Sequence, residues 1–352
     1  PSSFLAYISL ATIMLSVRRK PQWYMLIIIL AAALLRFVAL PSLPLGFHYD
    51  EAANLTLTHQ IAAGNYRPIF IRAYTGKEVL FFYFAVPWVR ITGMSWGLRL
   101  SAAMLGVLTV AATYPAVRAL LREDRVLRTA RSGQIIRGFK RYGHWVALLS
   151  SAWVAVSFPH LVLSRYGFRA ISQPLLQALT IATLWRGLRS CPGRSNAVSQ
   201  ALGLPRQGDW IRREFYYWNN LWLLAAGSLL GLTAYTYLAA RLFPIPLALA
   251  LGFLLLNTPR GLLKDRLLQF AVVLVVALLV FSPLGIYFLG HPDAFATRIR
   301  QVASSTWRDA ARGIGLCLRA LAWPNAGDPY VRFNEPGRPL CDPLSAILGL
   351  IG

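Results

Sequence analysis

The sequence predicts an all-α protein, a polytopic transmembrane helical bundle with short juxtamembrane helices on its exofacial side. Three observations carry that expectation. Of 352 residues, 56% are hydrophobic and only 14% are charged, and the mean hydropathy is +0.50; ordinary soluble domains run nearer a quarter charged. Several apolar runs of bilayer-crossing length carry almost no charge. Basic residues then collect between those runs, as the positive-inside rule expects of cytoplasmic loops. A soluble helical domain would not need so many consecutive apolar spans. Nothing marks an internal boundary or a repeat, so residues 1–352 are expected to form a single transmembrane domain. The chain begins at Pro1 and stops at Gly352, just inside a new apolar run from Leu344 to Ile351. A piece of a longer protein is therefore expected.

The first run, Phe4 to Val17, is short for a span. Arg18-Arg19-Lys20 follows it instead of preceding it, which argues against a signal peptide and marks a cytoplasmic turn. Trp23–Leu40 then leads outward, with Arg36 placed to snorkel to the headgroups. An exofacial loop over 41–96 holds Phe47-His48-Tyr49-Asp50-Glu51, a short helix from Ala52 to Ala63 ended by Gly64-Asn65, and Gly76-Lys77-Glu78. Residues 122–141 are strongly basic (Arg122, Arg125, Arg128, Arg131, Arg137, Lys140 and Arg141), hence cytoplasmic, so an odd number of crossings must separate them from Glu78. Val79–Val89, short and dense in aromatics, is accordingly placed in the interface, and Gly97–Leu121 alone crosses. Gly143–Leu163 exits and Ile171–Leu188 returns. Trp218–Tyr237 exits, Pro246–Leu256 returns, and Leu267–Leu289 exits again. Residues 290–343 read as a polar, turn-rich exofacial segment.

The formal net charge is +23. In a soluble protein that would suggest nucleic acid; here the charges lie in loops between spans, where topology and anionic lipid explain them. No nucleic-acid module, phosphate-cradling glycine loop or Ser/His/Asp signature is present. His48 and His59 have no partners at metal-ligand spacing, so no metal ligand is assigned; the sequence requires no cofactor and leaves divalent metal open. Cys317 and Cys341 share one exofacial segment in which a disulfide could form. Under this topology close to half of the 36 basic residues fall outside, the distribution that a site for a phosphate-bearing lipid would need.

Candidate site residues follow from position. Asp50 and Glu51 are the first acids in the chain, and adjacent carboxylates at the mouth of a span are costly unless they bind or react. Asp50 is the candidate general base on a hydroxyl, with Glu51 orienting it; the competing reading is that Asp50 caps the following helix and Glu51 favours its dipole. Lys77 can hold a phosphate oxygen as a point charge, with Glu78 paired to it or capping the next helix. Arg165 and Arg169 lie one helical turn apart, on one face if helical, at an outer hairpin. Tyr237 and Arg241, with Tyr235, form a similar set on the next.

These features together resemble the GT-C superfamily of membrane glycosyltransferases. They are a first span ending in Asp50-Glu51, an amphipathic stretch, and Gly76-Lys77-Glu78 opening an aromatic helix. Arg99-Leu100-Ser101-Ala102 and Ser164-Arg165 are further matches. The nearest group by resemblance is the bacterial branch of the protein O-mannosyltransferase and aminoarabinose-transferase superfamily. The tail Gly327-Asp328-Pro329, Pro336-Gly337-Arg338-Pro339 and Asp342-Pro343 looks like its exofacial segment. The resemblance implies transfer of a sugar, a hexose or a pentose, from a polyprenyl-phosphate donor to a hydroxyl on a protein, lipid or glycan, with inversion. It places the chain in the plasma membrane as a multi-pass protein with its site on the extracytoplasmic face. Asp50 then matches the acidic catalytic residue, and Lys77, Arg165 and Arg241 the contacts to the lipid phosphate. The chain departs from many relatives in having Glu78 where they have proline, and in lacking an acid near Arg169-Ala170, so no metal bridged by two acids is carried over. A transporter or flippase for a lipid-linked or anionic solute is the alternative, but transporters concentrate charge near the midplane, where these spans are nearly bare.

Overall fold

The structure, a computed structural model, describes residues 21–74, 76–121, 135–188, 209–302, 306–322 and 339. The run 4–17, most of the basic segment 122–141, Cys191 and Cys341 lie outside the described residues. The chain folds into helices α1 (Pro21–Phe37), α2 (Tyr49–Ala62), α3 (Leu80–Thr92), α4 (Met94–Leu121) and α5 (Ile135–Val156). They continue with α6 (Phe158–Arg165), α7 (Ser172–Leu188), α8 (Asp209–Thr233), α9 (Pro244–Leu256), α10 (Arg260–Gly290), α11 (Pro292–Val302) and α12 (Trp307–Ala322). A two-residue hairpin, β1 (Phe70–Ile71) against β2 (Lys77–Glu78), pairs antiparallel with Ile71 opposite Lys77. By length and composition three helical stretches can cross a membrane, 96–121, 238–256 and 260–290. A fourth is the pair α5–α6, bent by 54°.

Apolar side chains gain little by packing on one another inside lipid, so such helices associate through close approach of small residues and through polar groups. Both devices are present. A Cβ added at Gly227 would lie 2.7 Å from the carbonyl oxygen of Val273, and one at Gly231 2.6 Å from that of Ala277. The equal steps along both helices show α8 and α10 running parallel in contact.

The polar device is arginine on main-chain carbonyls. Pro159, in the first turn of α6, has no N–H to give the carbonyl of Ala155. Arg36 donates to it instead, at 3.0 Å, and to Val154 O at 3.4 Å. The Arg36 side chain is thus fully buried and does not snorkel, because the broken helix beside it needs a donor. Arg165 caps the end of α1 through Leu35 O at 2.7 Å and Val38 O at 2.8 Å. Arg90 caps α2 through Ala62 O at 3.1 Å, and Arg266 caps α7 through Leu188 O. The last carbonyls of a helix have no partner within it, and these arginines supply one. At Pro283 of α10 the task falls to hydroxyls. Ser282 donates to Leu279 O at 2.8 Å, and the Tyr235 hydroxyl bridges Val280 O and Leu284 N at 3.0 and 3.2 Å.

Helix α3 buries Phe81, Phe82 and Ala85 in a core shared with Leu57 and Ile61 of α2 and Leu98 of α4, while Tyr83 stays 40% exposed. Two further expectations change. Residues 165 and 169 do not share a helix face, since α6 stops at Arg165 and an extended turn leads to a 3-10 turn at Arg169–Ile171. The described part of the segment after Gly290 is helical, as α11 and α12, and not turn-rich.

Candidate active site

The head of α2 is set by His48, whose Nδ1 accepts the Asp50 N–H at 3.1 Å and caps the helix. Asp50 is therefore not the cap. Its carboxylate stands in the first turn, 46% exposed, where the helix dipole favours negative charge. Glu51 is the next residue and a helix turns its neighbour about 100° away. That rotation sends Glu51 into the interior, fully buried. There Arg99 of α4 donates to it in two places, Nε to Oε1 at 2.7 Å and Nη2 to Oε2 at 3.0 Å. The same guanidinium binds Pro44 O at 3.0 Å and Gly46 O at 2.6 Å. Glu51 also accepts the Gly167 N–H at 3.3 Å. Glu51 and Arg99 thus tie the loop after α1 to the heads of α2 and α4.

The hairpin supplies one cation, Lys77, and the acid that gathers two more. Gly76, at φ +91°, turns the chain so tightly that an added Cβ would lie 2.9 Å from the Phe70 ring. Consecutive strand residues point to opposite faces, so Lys77 and Glu78 serve two separate clusters. Lys77 is buried; its Nζ donates to Asn54 Oδ1 at 2.8 Å and lies 3.8 Å from Asp50 Oδ1. The Tyr74 ring lies 5.5 Å beneath it, on a backbone in the left-handed region at φ 53°. Asn54 is one turn beyond Asp50 on α2, and its amide donates to Gly167 O at 2.9 Å. On the other face Glu78 meets Arg241 at 3.2 Å and Arg169 at 3.6 Å. Aromatic rings back both cations: Phe288 and Phe295 lie 5.0 and 4.9 Å from Arg241, and Tyr237 lies 5.3 Å from Arg169. Arg169 also reaches back to Gly76 O at 3.4 Å, which joins the two clusters.

The structure brings together Asp50 and Lys77 on one face of the hairpin, and Glu78, Arg169, Tyr237 and Arg241 on the other. It does not bring in Glu51, engaged with Arg99, or Arg165, engaged with α1. Sequence reading missed His48 as a cap, Asn54 as the bridge and Arg99 as the partner of Glu51. Asn54 alone had a legible signal, its one-turn spacing from Asp50. Among the described residues no group of three or more His, Cys, Asp or Glu side chains could hold a metal ion. The buried Nε of Arg241 has no hydrogen-bond partner among the described residues. Chemically, the arrangement offers an accessible carboxylate able to take a proton, beside fixed cations able to hold an anion.

No protein-family model and no curated protein sequence matches this chain. Among solved structures it is similar to ArnT from Cupriavidus metallidurans bound to undecaprenyl phosphate, at 16% identity and a TM-score of 0.49. That likeness covers 77% of this chain and 42% of the other, so the chain spans less than half the length of that protein.

Proposed function

We propose that this chain is the core of a membrane glycosyltransferase that moves a sugar from a polyprenyl-phosphate-linked donor to a hydroxyl acceptor, with inversion. The carrying observation is the half-exposed Asp50 carboxylate 3.8 Å from a buried Lys77, at the end of the bundle where Arg169 and Arg241 also gather. The motif resemblance supports the same reading. Asp50 takes the proton of the acceptor hydroxyl as its oxygen bonds to the anomeric carbon. The bond from that carbon to the phosphate oxygen breaks, and the phosphate leaves with the electron pair. Lys77, Arg169 and Arg241 hold the charge that grows on it, and cations fixed in a poorly solvated site are effective there. The free Nε of Arg241 is a donor such an oxyanion can use. Glu51 and Arg99 act as positioning residues that fix the backbone beneath Asp50.

The test is transfer from a panel of polyprenyl-phosphate hexoses and pentoses by the purified protein and its Asp50→Asn variant. Loss of a general base removes about 10²–10⁴-fold of rate, and the variant is expected to be inactive on every donor the parent uses. Full activity in Asp50→Asn takes Asp50 out of the mechanism.

A further inference from the structure

Helix α12 stands apart from the bundle with nearly every side chain in the open. Trp307 is 76% exposed, Ile314 63% and Leu318 58%. At 100° per residue these three fall in one stripe with Ala310, Ala311 and Cys317, roughly 120° wide, the width of a face that packs on something apolar. Arg308, Arg312 and Arg319 fall together on its flank within about 40°. The one acid of the helix, Asp309, is taken by the cap: Thr306 Oγ1 donates to it at 2.7 Å and accepts the Asp309 N–H at 3.2 Å. Sixteen residues rise only about 24 Å, and four are charged, so the helix is too short and too polar to cross a bilayer. A stripe of this kind, with a tryptophan in it and arginines on its flank, fits the boundary between acyl chains and headgroups. The bilayer is at hand, because α12 follows α10, the longest apolar span, by one short helix. Leu316 is the exception, placed opposite the stripe and 54% exposed.

We propose that α12 is an anchor lying flat in the membrane surface, its apolar stripe among the acyl chains and its arginine flank on anionic lipid headgroups. Charge decides the occupant: three arginines on one flank complement lipid phosphates that carry a net negative charge, each worth about five-fold in the bound-to-free ratio. This inference does not depend on the transferase reading.

Cys317 lies in the stripe and reports on it. In the full chain with Cys191→Ser and Cys341→Ser, a nitroxide on Cys317 is followed in proteoliposomes by its collisions with oxygen, which prefers lipid, and with a water-soluble nickel chelate. In vesicles with one-third phosphatidylglycerol, oxygen is expected to dominate. A nitroxide on Leu316→Cys in a Cys317→Ser background is expected to meet the chelate instead. Replacing Arg308, Arg312 and Arg319 by Gln is expected to lower the inserted-to-solvated ratio about a hundred-fold, as is pure phosphatidylcholine. A Cys317 label open to the chelate in anionic vesicles overturns the proposal. So does one shielded from both reagents, which means protein covers the stripe. Equal insertion with and without anionic lipid, or with and without the arginines, also overturns it.

Discussion

Two adjacent carboxylates, Asp50 and Glu51, have different fates because a helix rotates one into the open and the other into the interior. Removing one partner of a buried ion pair leaves the other charge uncompensated, at a cost of about 3–5 kcal/mol. Glu51→Gln, which strands the buried Arg99, should therefore lower the apparent melting temperature in detergent strongly. Asp50→Asn, at a half-exposed position where solvent screens the pairing with Lys77, should cost clearly less stability than Glu51→Gln while removing activity. Equal destabilisation by the two variants would mean that Asp50 is structural as well. Arg165 makes a similar contrast. Its donors are spent on Leu35, Val38 and Leu43 carbonyls, so Arg165→Ala should weaken the bundle and leave affinity for a lipid phosphate unchanged. Nothing in the sequence separates an arginine that will hold phosphate from one that will cap a helix. Both sit near span ends, and only the position of an unpaired carbonyl decides.

At the scale of elements, the hairpin and the parallel pair α8–α10 carry distinct loads. Lys77 and Glu78 are neighbours in sequence yet belong to different clusters because a strand alternates its faces. The sequence showed the Gly76-Lys77-Glu78 turn but not the strand, since two residues leave no periodicity to read. Gly97–Leu121 was legible as the span in α4 and Leu267–Leu289 as the greater part of α10. Among the described residues, the helices over Trp23–Leu40, Ile171–Leu188 and Trp218–Tyr237 are not by themselves long and apolar enough to cross. The bend between α5 and α6 was not drawn from Pro159, although that proline causes it. The packing of Phe81 and Phe82 of α3 on α2 and α4 was not legible, because Phe, Tyr and Trp suit both an interface and a core. For α8 and α10 the prediction is steric. Gly231→Leu drives a side chain against the Ala277 carbonyl and Val280, and overpacking of this kind costs about 1–3 kcal/mol. A thermal unfolding series in detergent should show that loss, while Gly252→Leu, with nothing near its added Cβ, should be close to neutral. No difference between the two would contradict the close contact of these helices.

Across the whole molecule, contacts link Asp50, Glu51, Lys77, Glu78, Arg99, Arg165, Arg169 and Arg241 at one end of the bundle. Arg266 sits at the other, on the last carbonyl of α7. Part of the positive charge closes helix ends, as Arg165 and Arg266 do, and a smaller set lies on the two faces of the hairpin, Lys77 beside the accessible Asp50 and Arg169 and Arg241 on Glu78. That smaller set is the central claim, and binding of a polyprenyl phosphate without its sugar tests it most directly. Its dissociation constant should be measured for the purified chain, Lys77→Ala and Arg165→Ala. A hydrogen bond to a charged group is worth about 1.5–3 kcal/mol, so Lys77→Ala should weaken binding roughly 10-fold or more, with Arg165→Ala unchanged. Binding that is absent in the parent, or indifferent to Lys77, would contradict a lipid-phosphate site at this end of the bundle.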